Sequence, residues 1–141
     1  MHPIAMAYAA LPPHSAVYAP YTVIDKSREG VLRSEADQVA SLAGLTDIEL
    51  ARCLNMSVRN LHRLKPHERL SRDASERLLL LTNLLRHGLD VFDDDKETLA
   101  DWLRSPIREL NNQSPIQLLD TTTGFGLVDD VLGRIEHGIV G

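Results

Sequence analysis

From Val31 onward the apolar positions recur with a helical period. Leu32, Ala36, Val39 and Ala43 fall at i, i+4, i+7 and i+11, one face of a helix. Gly44 stands where a left-handed residue ends a helix. A second helix opens at once in TDIELARCL, with Thr46 as cap and Glu49 completing a capping box. Ser57 caps a third, VRNLHRL. Ser71 caps a longer fourth, whose stripe is Ala74, Leu78, Leu81, Leu85, Leu89 and Phe92. Leu79, Leu80 and Leu84 widen that stripe, so this helix is expected to bury two faces. After Phe92, DDDKETLADWLRSPIREL places acids at a helix N-terminus, where the macrodipole favours them, and Pro106 stops the helix. Ser114-Pro115 opens a short PIQLLD helix. TTTG reads as a turn, and a last helix runs through Phe125, Val128, Leu132 and Ile135 to Gly138.

Before Val31 the period is poor. Pro3, Pro12, Pro13 and Pro20 break regular structure, and Tyr21–Ile24 (YTVI) is compatible with a short strand. The expectation is an all-α protein, with strand confined at most to this arm. Three parts follow: an irregular arm over 1–30, a helical unit over 31–91 and a second over 92–141.

The chain has 141 residues, room for one domain or two small ones and a sizeable core. Cys53 is the only cysteine, which excludes an internal disulfide and suits a reducing, cytoplasmic setting. No apolar run approaches the length of a membrane span, and the start lacks the basic segment of a signal peptide, so neither is expected. Net charge is −5, unevenly spread. Residues 52–77 carry seven Lys or Arg against three acids, whereas residues 92–141 carry four bases against ten acids. The middle can meet a polyanion; the C-terminal third would be repelled by one.

That asymmetry gives meaning to Leu45–Leu64, LTDIELARCLNMSVRNLHRL, which reads as a helix-turn-helix. Two short helices pack steeply only around a small residue, here Ala51, and a turn residue that tolerates left-handed backbone, here Asn55. Val58, Leu61 and Leu64 share the inward face of the second helix. Arg59, Asn60, His62 and Arg63 then point outward. Arg matches the O6/N7 edge of guanine and Asn the N6/N7 edge of adenine. Thr46, Ser57 and Lys65 suit phosphate contacts beside them. The plainer alternative is a three-helix core with a basic face. A dimer would double the contacts by matching two half-sites; the extra leucines of the fourth helix and the N-terminal arm are its candidate surfaces.

Catalytic chemistry finds no constellation. His2, His14, His62, His67, His87 and His137 are scattered without metal-ligand spacing, and Cys53 lacks an activating base nearby in sequence. Asp93–Asp95 lacks the glycine and closing glutamate of a calcium loop. Gly124–Gly126 is too short for a phosphate loop. No enzyme activity, metal or cofactor is expected.

The C-terminal stretch adds a specific pattern. Trp102-Leu103 ends a helix, followed by Pro106 and Leu110; then come Ser114, Pro115, Leu118 and Leu119, a glycine-containing turn, and a helix ending Arg134, Ile135, Glu136, Gly138. This resembles the toxin-binding domain of the Xre/MbcA/ParS antitoxins. The resemblance covers about residues 30–141, including the preceding helix-turn-helix. Two departures stand out: Asn111–Gln113 replaces a common glycine pair, and Asn55 the usual turn glycine. The resemblance implies an antitoxin of a type II pair that binds and occludes a RES-type, NAD-degrading toxin or a related ADP-ribosyltransferase, and represses its own operon. A homodimer and a toxin–antitoxin hetero-oligomer are the expected assemblies, with no membrane partner. Trp102, Arg134, Glu136, His137, Gly138, Ile139, Val140 and Gly141 are the toxin-binding candidates, although Trp102 is first of all a core residue. A stand-alone regulator whose C-terminal unit dimerises or senses a ligand is the alternative.

Overall fold

The computed structural model describes residues 17–138. Among them the helices run α1 Pro20–Glu29, α2 Arg33–Ser41, α3 Asp47–Cys53, α4 Val58–Arg63, α5 Arg72–Val91, α6 Lys96–Leu103, α7 Pro115–Leu118 and α8 Thr122–Glu136, with a 3-10 turn at Arg108–Leu110. β-Structure in these residues amounts to two isolated antiparallel bridges, Leu32 with Arg69 and Ile107 with Gln113.

The helix starts follow the polar residues that satisfy otherwise unpaired backbone amides. The Thr46 hydroxyl accepts from the Glu49 amide at 3.1 Å, and the Glu49 carboxylate accepts from the Thr46 amide at 2.9 Å. The Ser57, Ser71 and Asp95 side chains cap α4, α5 and α6 in the same way. Ser114 with Pro115 at the first helical position opens α7.

Two expectations need correction. The arm over 1–30 is not irregular throughout, and Tyr21–Ile24 is helix rather than strand: α1 begins at Pro20. Proline at the first helical position lacks only an amide that would be unpaired there anyway, so it opens a helix as readily as it breaks one. Val23 and Ser27, one turn apart, then bury against α5. Likewise TTTG is not a turn but the start of α8, with the Thr121 hydroxyl accepting from the Gly124 amide at 2.9 Å. The part of the arm before residue 17 lies outside the described residues.

One core runs the length of the fold, from Val23 to Leu132, and does not divide at residue 91. Its axis is α5, which buries Leu78, Leu81, Leu85 and Leu89 together with Leu79 and Leu84, so two faces are occupied. α1 and α8 both pack on this helix. Close approaches are made at glycine. A Cβ on Gly88 would stand 2.6 Å from Leu99 Cδ1, and one on Gly124 only 1.7 Å from the Leu118 carbonyl oxygen. Phe92 and Trp102 stack obliquely, centroids 5.7 Å apart, where α5 hands over to α6. The turn expected to differ from the glycine-pair pattern is built on asparagine: Asn111 and Asn112 both adopt left-handed backbone, at φ 62° and 64°.

Candidate functional site

The helix-turn-helix is α3, a turn and α4. Asn55 takes the left-handed conformation at φ 56°, as its place in the turn requires. Ala51 is buried at the close approach. Leu61 is fully buried, whereas Val58 and Leu64 are only half-buried at the edge of the core. One contact invisible in the local pattern fixes α4 from behind. The buried Arg33 donates from Nε to the Leu61 carbonyl at 3.0 Å and pairs with Asp37 at 2.8 Å. Buried guanidinium groups need such partners.

The outward side chains divide into two sets. Thr46 and Ser57 are exposed, but each hydroxyl already accepts a capping bond. His62 Nε2 lies 2.7 Å from Asp47 Oδ2, tying α4 to the first turn of α3. Arg59, Asn60, Arg63 and Lys65 are exposed, and the three cations have no ion-pair partner among the described residues. Beside them opens a cleft of about 320 Å³, bordered by Asn55, Met56, Asn60, Arg63, Arg69 and Ser71. Arg69 donates to the Gly30 carbonyl, so its guanidinium is anchored at the rim.

The C-terminal candidates lie on different surroundings. Trp102 is half-buried against Phe92. On α8, Phe125, Val128, Val131 and Leu132 bury, with Ile135 partly covered. Arg134, Glu136, His137 and Gly138 are exposed, and Gly138 ends the helix at φ 71°. Ile139, Val140 and Gly141 lie outside the described residues. Glu136 has an internal partner that the sequence does not advertise. His87 of α5 meets Asp129 through Nδ1 at 2.6 Å and Glu136 through Nε2 at 3.1 Å. Two carboxylates on the two ring nitrogens require both nitrogens to donate, which only the imidazolium does. Burial opposes that charge, but the bonds to Asp129 and Glu136 prevail and raise the His87 pKa. Leu127, also missed from the pattern, is half-exposed, about two helical turns before Arg134 on the outer side of α8.

A third contact joins the two regions. Arg104, just past α6, donates from Nε to Glu49 Oε2 at 3.0 Å and from a terminal nitrogen to Oε1 at 2.6 Å. It also donates to the Gly44 carbonyl at 3.1 Å. Glu49 is thus shared between the α3 capping box and the C-terminal region. Partial burial would raise its pKa; the Arg104 and Thr46 bonds overcome this and lower it. Asp120, after α7, accepts from Arg77 through its carbonyl at 3.2 Å and lies 3.9 Å from Arg52.

Cys53 is buried, and desolvation pushes its thiol to about 12, which keeps it protonated and inert as a nucleophile. Among the described residues no group of three or more His, Cys, Asp or Glu is placed to hold a metal ion. Nor is any helix there long and apolar enough to cross a membrane.

An exposed, cationic second helix after a left-handed turn, joined to a second helical unit through one core, defines a helix-turn-helix protein with an attached helical module. Comparison with known proteins makes the class specific. Residues 22–83 match the antitoxin Xre-like helix-turn-helix domain, and residues 87–138 match the antitoxin Xre/MbcA/ParS C-terminal toxin-binding domain. Antitoxin Xre of Yersinia enterocolitica is 30% identical over 118 residues, 83% of this chain and 80% of that protein. Antitoxin Xre of Photorhabdus laumondii is 31% identical over 121 residues, 86% of this chain and 74% of its own. A Sphingobium protein named Prs ADP-ribosylating antitoxin is 28% identical, covering 85% of this chain and 81% of its own. The chain belongs to the Xre family of antitoxins, a helix-turn-helix domain followed by a toxin-binding domain.

Proposed function

We propose that this antitoxin neutralises its cognate toxin by placing the end of α8 and the residues after it in the entrance of the toxin's active site. The observation that carries the reading is the division of α8. Its inner face is committed to the core, while Arg134, His137 and Gly138 project at its end. Trp102 contributes from the half-buried edge of α6. The family and the ADP-ribosylation named for the Sphingobium relative favour a toxin that consumes NAD: a RES-type enzyme or an ADP-ribosyltransferase. Such an active site must accommodate an anionic dinucleotide, and Arg134 and Glu136 supply polar groups to engage the residues that hold it.

In the same reading, Arg59, Asn60 and Arg63 read operator bases, with Lys65, Thr46 and Ser57 at the flanking phosphates, and the complex represses its own operon from the cytoplasm. His62 supports α4 through Asp47 while its ring edge stays at the surface. Deleting Glu136–Gly141 should restore toxicity in co-expression while operator binding survives. Replacing Arg59 and Arg63 together by Ala should abolish operator binding while neutralisation survives. Full neutralisation by the truncated chain defeats the plug. A purified partner that consumes no NAD, and transfers nothing from it, defeats the assignment of the toxin.

A further inference from the structure

Asn83 of α5 holds the backbone of the chain just ahead of α1. Its side-chain oxygen accepts from the Tyr18 amide at 2.7 Å, and its side-chain nitrogen donates to the Tyr18 carbonyl at 3.1 Å. The same Asn83 lines a groove of about 320 Å³ between α5 and α8. Leu80, Leu84 and Phe125 give this groove apolar walls, Gly126 leaves it open on the α8 side, and Asp129 edges it. The described chain thus begins at the mouth of an apolar groove. Arg86 stands one helical turn beyond Asn83, and its Nε is buried without a hydrogen-bond partner. It lies near Tyr18: burial and then Glu35 raise the Tyr18 pKa, and the Arg86 charge opposes them. A buried donor of this kind calls for an acceptor.

We infer that residues 4–11 of the same chain, IAMAYAAL, fill the groove between α5 and α8, entering past Asn83. The described chain starts at residue 17, so 16 residues precede it, and none of them is Asp, Glu, Lys or Arg. Residues 4–11 are their apolar stretch, with Ile4, Met6, Tyr8 and Leu11 as its large side chains. An uncharged run of this kind left in water would form a patch that needs cover. The connector over residues 12–16 can span up to about 17 Å, enough to carry the run from Asn83 along the groove. Charge agrees as well. The rim is acidic at Asp129, whereas the segment brings His2, His14 and the amino terminus and no carboxylate. A backbone carbonyl of the passing segment supplies the acceptor for Arg86 Nε. The segment then fastens α8 to α5, beside the close approach at Gly124 and the His87 bridge. This contact goes beyond the proposed toxin and operator surfaces and depends on neither.

The test is paramagnetic broadening in NMR of the full, isotope-labelled chain carrying a nitroxide on Ala7→Cys. Cys53 takes no label, because it is buried and its thiol is pushed up to about 12. The amide signals of Leu80, Leu84, Phe125 and Gly126 should broaden, and those of Arg59 and Lys65 should stay sharp. Broadening everywhere, or nowhere, overturns the inference. A mixture of spin-labelled chain without isotope and isotope-labelled chain without nitroxide should leave the groove signals sharp. Broadening there would mean that a second copy fills the groove, and overturns the contact within one chain. Tyr8→Asp combined with Leu11→Asp sets charge into the apolar groove beside Asp129. It should abolish the broadening and speed hydrogen exchange at Phe125 and Gly126 several-fold. Both substitutions lie ahead of the core, so circular dichroism should show α1–α8 intact. Broadening that survives them overturns the inference. Groove amides that gain protection only in the complex with the toxin assign the groove to the toxin and overturn it too.

Discussion

The helix-turn-helix and the C-terminal helix both expose polar side chains, but they are held by different means. α3 and α4 have seven and six residues, too short to persist alone in water. Their order comes from caps at Thr46 and Ser57, from the left-handed Asn55, and from Arg33 gripping the last turn. α8 has fifteen residues and an apolar face, and it leans on backbone contact at Gly124 and on one histidine across the groove to α5. A face built from caps leaves its cations available. A face built by close packing is stiffer, and tolerates less change in the atoms beneath it.

That contrast can be broken most sharply at Gly124. In Gly124→Ala the new methyl would overlap the Leu118 carbonyl, so α7 and α8 must separate. We expect a loss of about 3 kcal/mol or more, read as a fall in Tm by circular dichroism. Toxin binding should fall with it at a temperature where the variant is partly unfolded. Unchanged Tm would show that the α7–α8 approach is adjustable.

Arg104→Gln probes the strap between the two regions, and a smaller effect is expected, about 1 kcal/mol at neutral pH, since Arg104 is partly exposed. Its signature is the pH profile. The folded Glu49 pKa is depressed, so its stabilisation is present above the ordinary carboxylate range and is lost as pH falls through the folded value. Arg104→Gln should shrink that acid-dependent share in urea unfolding measured from neutral pH downward. An unaltered acid limb would mean that Thr46 alone sets the shift.

The smallest effect is expected from His87→Gln, about 0.5 kcal/mol, because Asp129 and Glu136 are well exposed to screening water. The His87 pKa is raised, so its contribution is complete below the ordinary imidazole value and disappears as pH rises through the folded one. Wild type should therefore lose a little stability across and above neutrality, and His87→Gln should lose that slope. An imidazole NMR titration showing no upward shift would remove Glu136 from its grip.

Most of the fold was legible because each helix start carries its own chemistry: Ser57, Ser71, Asp95 and Ser114 are local signals read within four residues. The two misreadings had local causes as well. Pro20 serves equally as a breaker and as a first helical residue, and a run of threonines before glycine fits a turn until Leu118 is known to lie behind it. The candidate sites were less legible. Arg59 and Arg63 follow from the helical period. The pairs His62–Asp47, His87–Glu136 and Arg104–Glu49 span 15, 49 and 55 positions, and no spacing rule reaches across such distances. The packing of α1 on α5 was hidden because its helix was not expected.

The unbroken core around α5 has a consequence for the life of the molecule in the cell. Modules that share a central beam cannot wear out separately. Destabilising the C-terminal helix should destabilise the helix-turn-helix with it, because a single core of this size is expected to unfold as one cooperative unit. A protease that traps the unfolded chain should therefore remove both regions at one rate. On the proposed function, neutralisation and repression would end together, within the half-life of a single folded body.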